Sequence, residues 1–135
     1  MTDLPRTSVS LVNRRRVAVA AGGAIGAILR GVTGEIVAAG GFDPLWATLF
    51  VNVIGSLFLG YLIGWHTGQS RSSPLAIPFV GIGILGAFTT FSLFSVEVFE
   101  LLRVGDLWLA VVYPIGMIGF GFAAALIGIR TGGRR

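Results

Sequence analysis

Four long apolar stretches dominate this chain: about Val17 to Ala39, Pro44 to Trp65, Pro74 to Leu102 and Leu107 to Ile129. Each reaches or exceeds the roughly 20 residues that an α-helix needs to cross the hydrocarbon of a bilayer. In that medium every backbone polar group must be satisfied internally, so helix is the expected solution for all four. Composition agrees: 54% of the 135 residues are hydrophobic, 12% are charged and mean hydropathy is +0.87, well outside the balance of soluble domains. The expected fold class is an all-α membrane protein with four transmembrane helices. Short connections divide it into a basic N-terminal segment at 1–16, a transmembrane domain at 17–129 and a basic tail at 130–135. The first stretch outruns the ~7 to 15-residue apolar core of a secretory signal and contains Arg30, so it is read as a permanent span.

All ten basic residues are arginine. Eight of them (Arg6, Arg14, Arg15, Arg16, Arg71, Arg130, Arg134 and Arg135) fall in the N-terminus, the second loop and the C-terminus, whereas Arg30 and Arg103 lie toward the other face. The positive-inside rule then places both termini in the cytoplasm; the expected location is a bacterial-type cell (inner) membrane, crossed several times. A nucleic-acid role for Arg14 to Arg16 is not expected, because no aromatic residues interleave with them and no soluble domain presents them. The absence of cysteine excludes disulfides and thiolate metal sites. The lone histidine, His66, is expected in a solvent-exposed loop.

The polar residues within the spans carry the functional information. In the second span Thr48, Asn52, Ser56, Gly60 and Gly64 recur every four residues, which aligns them on one ridge of a helix. Asn52, with two donors and an acceptor near mid-membrane, is expensive to leave unpaired and either joins helices or lines a path. In the first span Gly22 and Gly26 form a small-xxx-small contact. Arg30, further along, is an interfacial anchor or an anion-attracting residue of an aqueous vestibule.

The third span is longer than a straight crossing requires and contains Gly81, Gly83 and Gly86 just before Thr89-Thr90-Phe91-Ser92. A break near mid-membrane is expected there. Broken helices bare carbonyls and amides at depth, which persist only where they line a cavity or hold an ion. Phe91 and Phe94 share a face beyond the break, either as packing or as electropositive ring edges beside a partly dehydrated anion. Glu97 and Glu100 follow near the far interface, where a solvated carboxylate is the ordinary reading. The fourth span offers the hydroxyl of Tyr113 and an expected kink at Pro114.

At these residues the chain closely resembles the Fluc (CrcB) fluoride channel family, small four-span proteins that assemble as antiparallel dimers. The likeness is carried by Gly22 through Arg30, by Thr48 through Phe58 and, most specifically, by Gly86 through Phe94. It implies a fluoride-specific channel subunit, not an enzyme, that passively exports cytoplasmic fluoride and confers fluoride resistance. The fluoride path it implies runs by Phe91 and Phe94, with Asn52, Thr48 and the Ser92 hydroxyl nearby, Tyr113 on the fourth span, Glu97 at a family position and Arg30 toward a vestibule. It also implies a structural sodium ion at the dimer interface, held by the backbone carbonyls of Gly86 and Thr89. Two positions depart from the family pattern: Leu93 replaces a threonine, and Met117 replaces a serine.

Two other readings compete. A small proton-coupled multidrug-type exporter wants a carboxylate deep in the first span, but Glu35 lies beyond Arg30 toward the helix end. A non-conducting partner subunit of a heterodimeric channel is suggested by the lost hydroxyls at Leu93 and Met117. The arginine distribution bears on assembly, because an antiparallel homodimer requires one chain to insert in both orientations. Eight arginines against two argue for one-way insertion, hence for a heterodimer with a paralogous subunit of the opposite bias.

Overall fold

The apolar stretches are helical in the computed structural model of the chain, which describes residues 6–69 and 73–134. Residues 1–5 of the basic N-terminal segment, and Arg71 and Arg135 among the arginines counted above, lie outside them. Span 1 is Arg6–Ala39, span 2 is Pro44–Thr67, span 3 runs over Ile77–Arg103 in two legs, and span 4 is Leu107–Gly132. All four are long and apolar enough to cross a membrane.

Span 1 starts well before the expected Val17. Nothing between Arg6 and Ala21 is a glycine or proline, and arginine is a good helix former, so residues 6–16 extend the helix. Span 2 likewise runs past Trp65. His66, expected in a loop, lies instead in the last helical turn and is half-buried.

The two hairpins at the opposite end use one device. Gly41 and Gly105 adopt φ values of 73° and 81°, a left-handed conformation that side chains resist. Each reverses the chain while the next amide reaches back, Phe42 to the Val37 carbonyl and Asp106 to that of Leu101. Asp43 and Asp106 then cap the following helices by accepting from the amides of Leu45 and Leu109, at 2.9 and 3.0 Å. Pro44 occupies the first turn of span 2, where its missing N–H is harmless.

Glycine pairs the spans. A Cβ on Gly60 or Gly64 would strike the carbonyls of Ala125 or Ile129 in span 4, and one on Gly128 or Gly132 would strike those of Leu57 or Tyr61 in span 2. Span 1 meets the first leg of span 3 in the same way, with Gly22 and Gly26 against the Phe79 and Ile84 carbonyls. Bare backbones thus approach closely without any hydrophobic drive between helices.

The third span is broken, as its composition suggests, but not at the glycines. Ile77–Leu85 is wound as a π-helix, finishing in a single α-helical turn, Gly86–Phe88. The second leg is Ser92–Arg103. Between them Thr89 is extended, with φ −74° and ψ 158°. Span 4 continues as helix through Pro114.

Candidate functional site

The break in span 3 exists because its polar groups find partners elsewhere. The Thr90 amide, which a continuous helix would give to the Gly86 carbonyl, donates instead to Asn52 Oδ1 at 2.8 Å. Asn52 Nδ2 in turn donates to the Thr90 carbonyl at 2.9 Å. One side-chain amide therefore satisfies both backbone groups of a residue that is only 8% exposed. The Leu93 amide, due to Thr89, is diverted to Thr90 Oγ1 at 3.2 Å, which caps the second leg. Gly55 makes room for this arrangement, since its missing Cβ is replaced by the Thr89 methyl group.

These diversions leave the carbonyls of Gly86 and Thr89 without the amide donors a helix would supply. The Thr89 oxygen accepts one bond, from Arg30 Nη1 at 3.3 Å, and keeps a lone pair free. Arg30 is half-buried and reaches the break itself, which takes it beyond the anchor or vestibule position expected of it. Two under-used carbonyl oxygens within four residues form a donor set of the kind that suits a hard cation such as sodium, so the residues present fit that ion.

Beside the break lies a cavity of about 290 Å³ lined by Asn52, Thr89, Thr90, Phe91, Phe94, Met117 and Ile118. The Thr90 and Ser92 hydroxyls are 3.2 Å apart and share one hydrogen bond, so one of their two hydrogens remains to be donated. Ser92 thus joins Asn52 through Thr90 rather than directly. The second Asn52 amide hydrogen is directed at Met117 Sδ, a weak acceptor at 3.6 Å. Phe94 stands between two rings, 5.7 Å from Phe91 and 5.7 Å from Tyr113 by centroid, tilted by 46° and 40°. The expected sharing of a face by Phe91 and Phe94 is thus observed.

One helical turn away is a second polar cluster. Glu97 accepts hydrogen bonds from Thr48 Oγ1 at 2.5 Å and from Tyr113 Oη at 2.6 Å. The ordinary reading of a solvated Glu97 is therefore wrong: its carboxyl group is half-buried and held by hydroxyls from two other spans, at distances typical of the shortest such bonds. Glu100, by contrast, is on the surface in a pair with Arg103 at 2.6 Å. The cluster extends the polar track from Asn52 and Met117 to Thr48 and Tyr113, which lie one turn along the same two helices.

Sequence reasoning missed the central role of Thr90. Its signal was present in two successive threonines placed just after a glycine-rich run. The larger hollow lined by Phe42, Trp46, Phe50 and Phe120 is almost wholly apolar and offers an ion little.

Fold and site together define a small multi-pass helical membrane protein, with polar groups gathered where a membrane helix is interrupted. The family model described as CrcB-like protein, Camphor Resistance (CrcB), matches residues 17–129, and the chain belongs to this family. A relative from Hyphomonas neptunium, named fluoride-specific ion channel FluC, is 44% identical over 115 residues, covering 82% of this chain and 89% of its own. Relatives of the same name from Novosphingobium aromaticivorans and Thermus thermophilus are 39% and 38% identical, covering 82% and 88% of this chain and 90% and 95% of theirs.

Asn52→Leu tests the architecture of the break. It preserves bulk but strands the Thr90 N–H and C=O, each at about 1 to 3 kcal/mol when buried. The purified variant should melt at a lower temperature and exchange its Thr90 amide faster than the parent. Identical melting and exchange would mean that the break is held by other contacts.

Proposed function

We propose that the chain is a subunit of a fluoride-specific channel, through which cytoplasmic fluoride leaves down its electrochemical gradient. Family membership and the names of the relatives support this reading. The observation that carries it is the cavity at the break, where a hydroxyl hydrogen and phenyl rings stand together beside one amide hydrogen of Asn52 whose acceptor is only a thioether. Hydrogen fluoride crosses membranes as a neutral acid and ionises in the cytoplasm, so passive release of the anion confers resistance. No bond is made or broken, and the chain is a channel subunit rather than an enzyme. A multidrug-type exporter gains no support, since Glu35 is exposed and no carboxylate lies deeper in span 1.

Selectivity follows from the kind of donor. Fluoride is small and holds water tightly, so a path must replace that water with close hydrogen bonds and positive ring edges. The Thr90 and Ser92 pair supplies the first at the break, and Phe91 and Phe94 supply the second. Asn52 releases its weakly held hydrogen from Met117 to the anion, while Thr48, Tyr113 and Glu97 mark the next step of the path. Arg30 contributes a positive charge near the break. Reconstituted protein, with its partner if it requires one, should pass fluoride and not chloride. Phe94→Ile keeps bulk but removes a ring edge of about 1 kcal/mol, so flux should fall roughly fivefold with assembly intact. Equal efflux of the two anions, or full flux in an assembled Phe94→Ile variant, would overturn the reading.

The Gly86 and Thr89 carbonyls would hold a structural sodium ion at the dimer interface. When bound, the ion supplies a fixed positive charge that ties the opened backbone together. Replacing sodium by a bulky organic cation throughout purification should weaken the dimer or its fluoride flux; no change in either would remove the ion from the structure.

The same reading extends to assembly. We infer an antiparallel dimer whose other half is a paralogous subunit, with both termini of this chain in the cytoplasm. Arg14, Arg15, Arg16, Arg130 and Arg134 lie at one end of the bundle, and the exposed arginine at the other, Arg103, is paired with Glu100. Such a chain inserts one way. A C-terminal reporter active only in the cytoplasm should therefore give signal, and one active only outside should give none. Strong signal from both, or robust conduction by this chain alone in a host without relatives, would rule out the paralogous partner.

A further inference from the structure

Away from the ion path, a cavity of about 810 Å³ opens between the arginine-rich end of span 1 and the first leg of span 3. Its span 1 wall includes Val12, Arg15, Arg16 and Val19, spaced so that these four fall on one face of a helix. The facing wall includes Ile77 and Ile82, which the wider π winding of that leg brings to the same side. Span 2 ends at Thr67 and span 3 begins at Ile77 at this end, so the mouth lies where helices leave the bilayer. The arginines sit at that mouth, while Val19 and Ile82 lie deeper along the spans.

Charge and shape together select the occupant. Among the described residues no aspartate or glutamate lines the cavity, and both arginines are exposed, so two guanidinium groups stand there without a carboxylate in the described lining. Guanidinium forks match phosphate oxygens in geometry as well as charge. A free phosphate would use the arginines but leave the isoleucine and valine walls bare. A zwitterionic lipid would bring its own cation toward two like charges. Basic pockets between membrane helices at the headgroup level have the chemistry of anionic lipid sites. We propose that this cavity binds one anionic phospholipid, its phosphate held by Arg15 and Arg16 and an acyl chain running along Val19 and Ile82. The site is separate from the break and does not depend on which ion the channel passes.

The test uses the full chain in its functional assembly, purified in detergent and titrated with phosphatidylglycerol while bound lipid is counted by native mass spectrometry. Phosphatidylglycerol should remain bound under conditions that strip phosphatidylcholine, and millimolar inorganic phosphate should not displace it. The double variant Arg15→Gln/Arg16→Gln should bind at least tenfold more weakly, whereas Arg130→Gln, at the same end but outside the cavity, should bind as the parent does. If the double variant fails to insert, each single variant should still weaken binding severalfold. Equal retention of the two lipids, unchanged affinity in the arginine variants, or an equal loss in Arg130→Gln would overturn the proposal. Displacement by phosphate would make this a solute site, and absence of bound lipid from the intact dimer would mean that a partner subunit covers the groove. Either result also overturns it.

Discussion

A polypeptide that leaves helical geometry inside hydrocarbon strands amides and carbonyls that water cannot reach. In this chain the reciprocal pair between Asn52 and Thr90 solves that problem, and much else depends on it. By accepting the Thr90 amide, Asn52 removes the donor that would have closed the helix over Gly86. By capping the second leg, the Thr90 hydroxyl does the same for Thr89. The contacts that make the break tolerable are thus the ones that leave two carbonyls without helical donors. They also set the register of span 2, which brings Thr48 to Glu97 one turn further on.

The rest of the fold is arranged so that this junction is firm on one side and open on the other. Glycine-mediated contacts join span 2 to span 4 and span 1 to the first leg of span 3. The second leg is packed less completely: Phe91, Val96 and Phe99 are 78%, 56% and 61% exposed. Phe91 lines the cavity and yet faces outward, so the wall of the cavity is incomplete within one chain. A second subunit laid against this face would bury that ring and complete the wall, which is why the proposed function and the proposed dimer stand together.

The parts legible in the sequence were those governed by local or periodic signals. Four spans follow from hydropathy, and the ridge from Thr48 to Gly64 follows from its four-residue repeat. The break was legible to within a few residues, from glycines followed by two threonines. The π winding was not: no local signal marks it, and the leg that carries it meets Gly22 and Gly26 on a distant helix through Gly83 and Ile84. Glu97 was misread for a similar reason: a carboxylate near a helix end is usually solvated, and its partners come from positions 49 and 16 residues away. Arg30 was placed by its backbone, whereas its long side chain reaches the Thr89 carbonyl 59 residues on. The ion's identity came from the resemblance in the motif, since hydroxyls and rings alone do not name it.

The two departures from the family pattern are not equivalent once the structure is considered. Met117 is 8% exposed, lines the cavity and meets the Asn52 amide, so its loss of a hydroxyl falls within the cavity beside this chain's own break. Leu93 is 47% exposed and does not line that cavity. Its missing hydroxyl therefore faces the surface that a second subunit would cover. In an antiparallel pair each chain would present both faces, one to its own path and one to its neighbour's. The substitutions at 93 and 117 then weaken different paths, and restoring one hydroxyl would not repair the other. A partner carrying hydroxyls at the corresponding positions would supply what each path lacks, so the paired departures, like the one-sided arginines, are features that make sense in a chain adapted to an unlike neighbour.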